Sequence, residues 1–186
     1  MTEHVILLVG AASSGKSTAI ATLFGTAGAG TGASAAESAR AAGAPEVEVP
    51  GQAIDFGQLE LAPGEMVRVY AVPASGRYDY MWQILKRRAF GVLALVRASD
   101  AAPLAELESV IDEFAELQLR GGLLVGITHV DEVTQVDQSA YQAALAARFP
   151  GAVTPVLTVD PRDRGQLITA LSVLAASVES RQQFED

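Results

Sequence analysis

Short apolar runs alternate along the chain with longer stretches whose apolar residues recur at three- and four-residue steps. That pattern predicts an α/β domain with a mostly parallel sheet. Val5–Val9 is unbroken apolar sequence, as expected of a strand covered on both faces, and leads through Gly10–Ser17 into a helix ending near Phe24. Gln52–Leu61 and Met66–Val72 flank Ala62-Pro63-Gly64-Glu65, where Pro followed by Gly predicts a hairpin turn. Phe90–Val96, Leu123–Ile127 and Val153–Val159 read as three further buried strands. Helices are predicted at Tyr80–Arg88, Leu104–Leu119, Ser139–Arg148 and Gln166–Val178. In the second of these Leu104, Leu107, Ile111, Phe114 and Leu117 share one face, and Gly121 is its expected stop. Gly25–Pro50 breaks the rhythm: Gly, Ala, Ser and Thr dominate it, so a mobile loop or inserted linker is expected. No internal repeat or second domain is visible, and residues 1–186 are read as one domain.

Composition narrows the function classes. The 186 residues carry a formal net charge of −9 and no cysteine. A disulfide scaffold, a thiolate zinc site and a cysteine nucleophile are thereby excluded. The acidic balance argues against nucleic acid as a partner. The longest clean apolar runs, such as Ala89–Val96, fall far short of a bilayer span. Met1-Thr2-Glu3-His4 lacks the basic start of a signal peptide, so a cytoplasmic protein without direct membrane insertion is expected. Lysine occurs only at positions 16 and 86.

Lys16 lies in Gly10-Ala11-Ala12-Ser13-Ser14-Gly15-Lys16-Ser17, which matches the phosphate-loop pattern GxxxxGK[ST] between an apolar strand and a helix. Glycines let such a loop curl until its amides converge on phosphate oxygens. Lys16 would bridge the outer phosphates, and the Ser17 hydroxyl would ligate Mg²⁺. A Gly/Ser-rich turn with an incidental lysine is the bland alternative. Farther along, Gly126-Ile127-Thr128-His129-Val130-Asp131 ends a strand with a carboxylate. Such a group can accept from guanine N1–H and its 2-amino group, a donor pair adenine lacks. A turn or capping role is the alternative for Asp131.

In order of elements and motifs the chain resembles the Ras-like small GTPases, most of all the bacterial branch of MglA-type polarity GTPases and conservon-type GTP-binding proteins. The resemblance rests on the phosphate loop, Ile54-Asp55-Phe56-Gly57, Tyr70 to Tyr78, Tyr80-Met81-Trp82, Thr128-His129-Val130-Asp131, and Val159-Asp160-Pro161-Arg162-Asp163-Arg164. It implies a P-loop NTPase fold, a six-stranded mostly parallel sheet with helices on both faces, and GTP or GDP at the strands' carboxyl ends. It implies nucleotide contacts from Gly10, Ser13, Ser14, Gly15, Lys16, Ser17 and Thr18. Thr128, His129, Asp131, Asp160 and Pro161 would face the base. Residues 25–50 would hold the first switch, and a roadblock-type protein would be a fitting partner.

The departures fall on one half of the site. The third-strand signature here reads Ala71, Pro73, Ala74 and Ser75, with no oxygen for the metal shell, no glycine at the γ-phosphate and no glutamine to orient water. Glu48-Val49-Pro50-Gly51-Gln52 offers no clear threonine for Mg²⁺, which would be weakly held. Thr128 and His129 replace Asn and Lys. The expectation is a regulatory protein that binds GDP or GTP and hydrolyses weakly or not at all. No catalytic residue stands out; Arg77 is a weak candidate for a built-in arginine finger, against the blander reading of a solvated arginine. Asp55 either acts at the metal through water or faces solvent on an edge strand. A nucleotide-free pseudo-GTPase scaffold and a small-molecule P-loop kinase are the alternatives.

Two surfaces suit partners. Tyr78 and Tyr80 are expected to contact a protein while Trp82 packs inward. Asp100–Arg120 carries six acids and one arginine, either a solvated face or a docking surface for a basic partner.

Overall fold

The computed structural model describes residues 2–28, 55–72 and 79–185, with the side chains of residues 2, 26–28, 55, 79–82, 184 and 185 outside that description. Its first strand shows why the rest assembles as it does. In β1 (Thr2–Val9) Leu7 and Val9 point to one side and Ile6 and Leu8 to the other, all buried. A strand apolar on both faces needs a helical layer on each.

The sheet has six strands in the order β2-β3-β1-β4-β5-β6. They are β1, β2 (Asp55–Ala62), β3 (Glu65–Ala71), β4 (Ala89–Arg97), β5 (Leu123–Thr128) and β6 (Val156–Thr158). Only the β2–β3 pairing is antiparallel. It forms the predicted hairpin: Gly64 takes φ 82° and its amide donates to Glu60 Oε1 at 2.8 Å. β2 thus lies at an edge of the sheet.

One face carries α1 (Lys16–Gly28) and α6 (Arg164–Glu185), packed through Ala19, Ile20, Leu23, Leu167, Leu171 and Leu174 onto Ile6, Leu8, Leu93 and Leu95. The other carries α2 (Asp79–Arg88), α3 (Pro103–Glu113), α4 (Ala115–Leu119) and α5 (Gln138–Arg148), through Leu85, Leu107, Ile111, Leu117, Tyr141 and Leu145. Fully burying side chains of this size stabilises by about 1.5–3 kcal/mol each. Among the described residues no helix is long and apolar enough to cross a membrane.

Three sequence expectations need correction. The single helix over Leu104–Leu119 is broken at Phe114, which leaves helical geometry (φ −114°, ψ 22°) with its ring buried beneath the Lys86 ammonium at 5.5 Å. The last strand is shorter than Val153–Val159, because Val153 stands 79% exposed and Pro155 gives only its carbonyl, accepting from Val125 N at 3.0 Å. The last helix outruns Gln166–Val178, starting at Arg164 and continuing to Glu185. The predicted Gly25–Pro50 loop lies outside the described residues from residue 29 on. Within it Gly25 departs from helical geometry (φ 70°, ψ 171°) where α1 was expected to stop.

Candidate functional site

The loops after β1, β4, β5 and β6 leave from one edge of the sheet, because those strands run parallel. The first is Gly10–Ser17, the segment whose sequence matches the phosphate-loop pattern. Gly10 takes φ 147°, and a Cβ there would meet Leu95 O at 2.2 Å; Gly15 takes φ 104°, with Pro161 Cγ at 2.5 Å from its would-be Cβ. Ser13 adopts the left-handed region at φ 64°, uncommon for a residue with a side chain. The loop therefore curls where only glycine fits. Ala19 N donates to Gly15 O at 2.8 Å, so the amides of Lys16, Ser17 and Thr18 open the helix without partners inside it. Ser17 and Thr18 are exposed at that first turn, as is Ser13.

Lys16 folds back over the curl. Its ammonium donates to Gly10 O at 2.6 Å, Ala11 O at 2.7 Å and, more weakly, Ser14 Oγ at 3.4 Å. Burial pulls its pKa below the usual lysine value, and facing Glu106 counters part of that. Glu106, on α3, reaches the loop itself: Ala11 N donates to Glu106 Oε1 at 2.5 Å. Glu106 Oε2 is buried without a hydrogen bond. Burial pushes this carboxyl's pKa up; the Ala11 amide opposes the shift, Asp100 adds to it and Lys16 opposes it.

The second loop is tied to the first. Thr128, fully buried, donates from Oγ1 to Ser14 O at 2.8 Å. The hydroxyl has one proton and directs it there, which assigns the donor role at the 2.9 Å Thr128–His129 contact to His129 Nδ1. His129 sits at φ 56° and turns the chain into a short 3₁₀ segment, Val130–Glu132, that presents Asp131. Glu132 is braced from the end of β4 and the turn after it, accepting from Arg97 Nη2 at 2.6 Å and from Ser99 Oγ at 2.5 Å. These donors, Ser99 first, hold its carboxyl below the usual range.

The third loop completes a cleft of about 270 Å³ that Gly15, Thr18, His129, Asp131, Asp160 and Pro161 help to line. Pro161 is buried against Gly15 and brings shape but no N–H to donate. Asp160 accepts from Arg162 N at 2.9 Å, Nε at 2.8 Å and Nη2 at 2.9 Å, which lowers its carboxyl pKa. Arg162 Nη2 also reaches Asp131 Oδ2 at 3.3 Å.

The structure thus gathers Gly15, Thr18, His129, Asp131, Asp160 and Pro161 around one cleft, with Gly10, Ser13, Ser14, Lys16 and Ser17 in the adjoining loop and Thr128 beneath it. Ala71 ends β3 as a buried methyl in the α1–α6 layer. Pro73, Ala74, Ser75, Arg77 and Tyr78, and the segment 48–52, lie outside the described residues, as do the side chains of Asp55, Tyr80 and Trp82. Among the described residues no group of three or more His, Asp or Glu is placed to hold a metal. Ser17 is the one residue expected at a metal whose side chain is described.

Two contributors lie outside the residue set expected from the sequence. Arg162 was visible within Asp160-Pro161-Arg162-Asp163-Arg164 only as part of a motif. Glu106 counted only toward an acidic surface. That surface is less free than its charge suggests: Asp112 pairs with Arg148 at 2.6 Å and Glu113 with Lys86 at 3.0 Å. No family model matches the chain, and the search of curated proteins finds no match either.

Proposed function

We propose that this is a guanine-nucleotide-binding regulatory protein of the Ras-like, P-loop type, with hydrolysis weak or absent. One observation carries the reading: the phosphate-loop helix start and Asp131 line the same cleft. The curl that only glycine permits fits a diphosphate, which the amides of residues 15–18 and the Lys16 ammonium would hold. Asp131 would take the donor edge of guanine, with His129 beside it. Mg²⁺, coordinated through Ser17, would supply charge neutralisation of the phosphates. The chain's own residues would orient the nucleotide, while the positions expected to serve the metal and the attacking water offer little: Ala71 carries no oxygen and Ser75 is too short. A partner protein of the roadblock type fits a regulatory role of this kind.

The nucleotide content of the purified protein, read by chromatography after denaturation, tests the reading. Bound GDP or GTP is the expected outcome, and adenine nucleotide would instead favour a kinase. Lys16→Ala should weaken GDP binding about tenfold to hundredfold, the worth of a charge-assisted contact. Single-turnover hydrolysis should stay below the roughly 3 × 10⁻⁴ s⁻¹ of an unassisted small GTPase. A nucleotide-free scaffold is the second reading. It is favoured by the internal engagement of both Lys16 and Asp131, and an empty site in the purified protein would select it.

A further inference from the structure

Asp131 has a partner already. Arg162 leaves the loop after β6, is gripped by Asp160 through both Nε and Nη2, and extends Nη2 to Asp131 on the loop after β5. The buried ring of Pro161 seats the start of this arm against Gly15. The two contacts are unequal. Asp160 holds the guanidinium at 2.8 and 2.9 Å, whereas Asp131 meets it once at 3.3 Å. Displacing the Asp131 contact would leave the Asp160 grip intact.

The chemistry of the displacing group follows from that of the arginine. The N1–C2–N2 edge of guanine is itself a guanidine fragment and offers a carboxylate the same kind of N–H donors. Adenine places a bare ring nitrogen there. A guanine base set on both oxygens of Asp131 would compete with Arg162 Nη2 for Oδ2. We infer that Arg162 is an affinity- and specificity-determining latch, closed on Asp131 until a base that presents paired N–H donors displaces it. The inference rests on the guanine-nucleotide reading above and deepens it. Nucleotide entry is then an exchange of one guanidine-type donor for another, and part of the affinity for guanine is spent on opening the latch. Adenine nucleotides lack that adjacent donor pair and leave the latch closed.

The test is direct titration of wild type, Arg162→Gln and Asp131→Ala with GDP, inosine diphosphate and ADP. Arg162→Gln should tighten GDP about two- to fivefold, the scale of an exposed ion pair, and leave ADP unchanged. Inosine diphosphate, lacking the 2-amino group, should gain less than GDP. The GDP gain should shrink in 1 M salt, where charges are screened beyond about 3 Å. Unchanged or weaker GDP binding in Arg162→Gln overturns the latch while leaving the guanine reading standing. A gain that is the same for ADP, or that persists undiminished in 1 M salt, also overturns it. Absence of GDP binding in wild type and Arg162→Gln alike, or GDP binding indifferent to Asp131→Ala, removes the underlying reading and the latch with it.

Discussion

Glu106 is a carboxylate that accepts from an amide of the Gly10–Ser17 loop, and its titration has a definite sign. Its pKa is raised by burial in the folded chain, so the folded state binds the proton more tightly than the unfolded one. Stability therefore falls as pH rises from the ordinary carboxylate value through the raised one, and the cost is complete above that window. Glu106→Gln keeps an acceptor for Ala11 N–H and removes the charge. Thermal melts should place its Tm above wild type at neutral pH, with the gap closing as pH falls below the ordinary carboxylate range. Glu106→Ala removes the charge as well but leaves the Ala11 amide without its acceptor, so it should lie about 1–3 kcal/mol below Glu106→Gln. None of this was legible in the sequence, because Glu106 looks like any acid on the solvent side of a helix start. Lys16 was legible, since its hydrogen-bond partners Gly10, Ala11 and Ser14 all lie within six residues of it.

At the level of elements the sequence was informative wherever burial is two-sided or one-sided without interruption. β1, β4 and β5 were foreseen to within a few residues because their apolar runs are continuous. Phe114 misled, since it supplies the apolar residue that a continuous helix needs while its backbone ends one. The tail of α6 was missed because its contacts there are made by a polar residue's stem: a Cβ on Gly121 would lie 2.9 Å from Arg181 Cγ. The packing of α6 on the sheet depends on Gly91, where a Cβ would sit 3.0 Å from Leu174 Cγ. Leu174 is wholly buried at that contact. Urea unfolding of Leu174→Ala should show a loss of about 2–5 kcal/mol, because neither strand nor helix can collapse far into the gap. Spectroscopic signs of an intact fold with a smaller loss would mean that this layer is loosely packed.

Across the whole molecule, the cleft is built from the first helix and from loops of the chain's second half, so a bound nucleotide would join the two. GDP at a hundred times its Kd should stabilise the fold by about 2.7 kcal/mol, or roughly 5–10 °C in Tm for a domain of this size. Asp131→Ala should abolish most of that shift for GDP. A GDP-induced shift untouched by the substitution would argue against Asp131 as the base-reading group. The loop pattern could be read locally, but the partners that shape it could not: Ala11 meets Glu106 across 95 positions and Ser14 meets Thr128 across 114. That second separation also orders events during synthesis. A ribosome releases the Gly10–Ser17 loop early, yet the hydroxyl that pins Ser14 belongs to the end of β5 and emerges more than a hundred residues later. Contacts so distant in sequence form late. A chain stalled before residue 128 would carry every residue of the motif and still lack the hydroxyl that clasps Ser14.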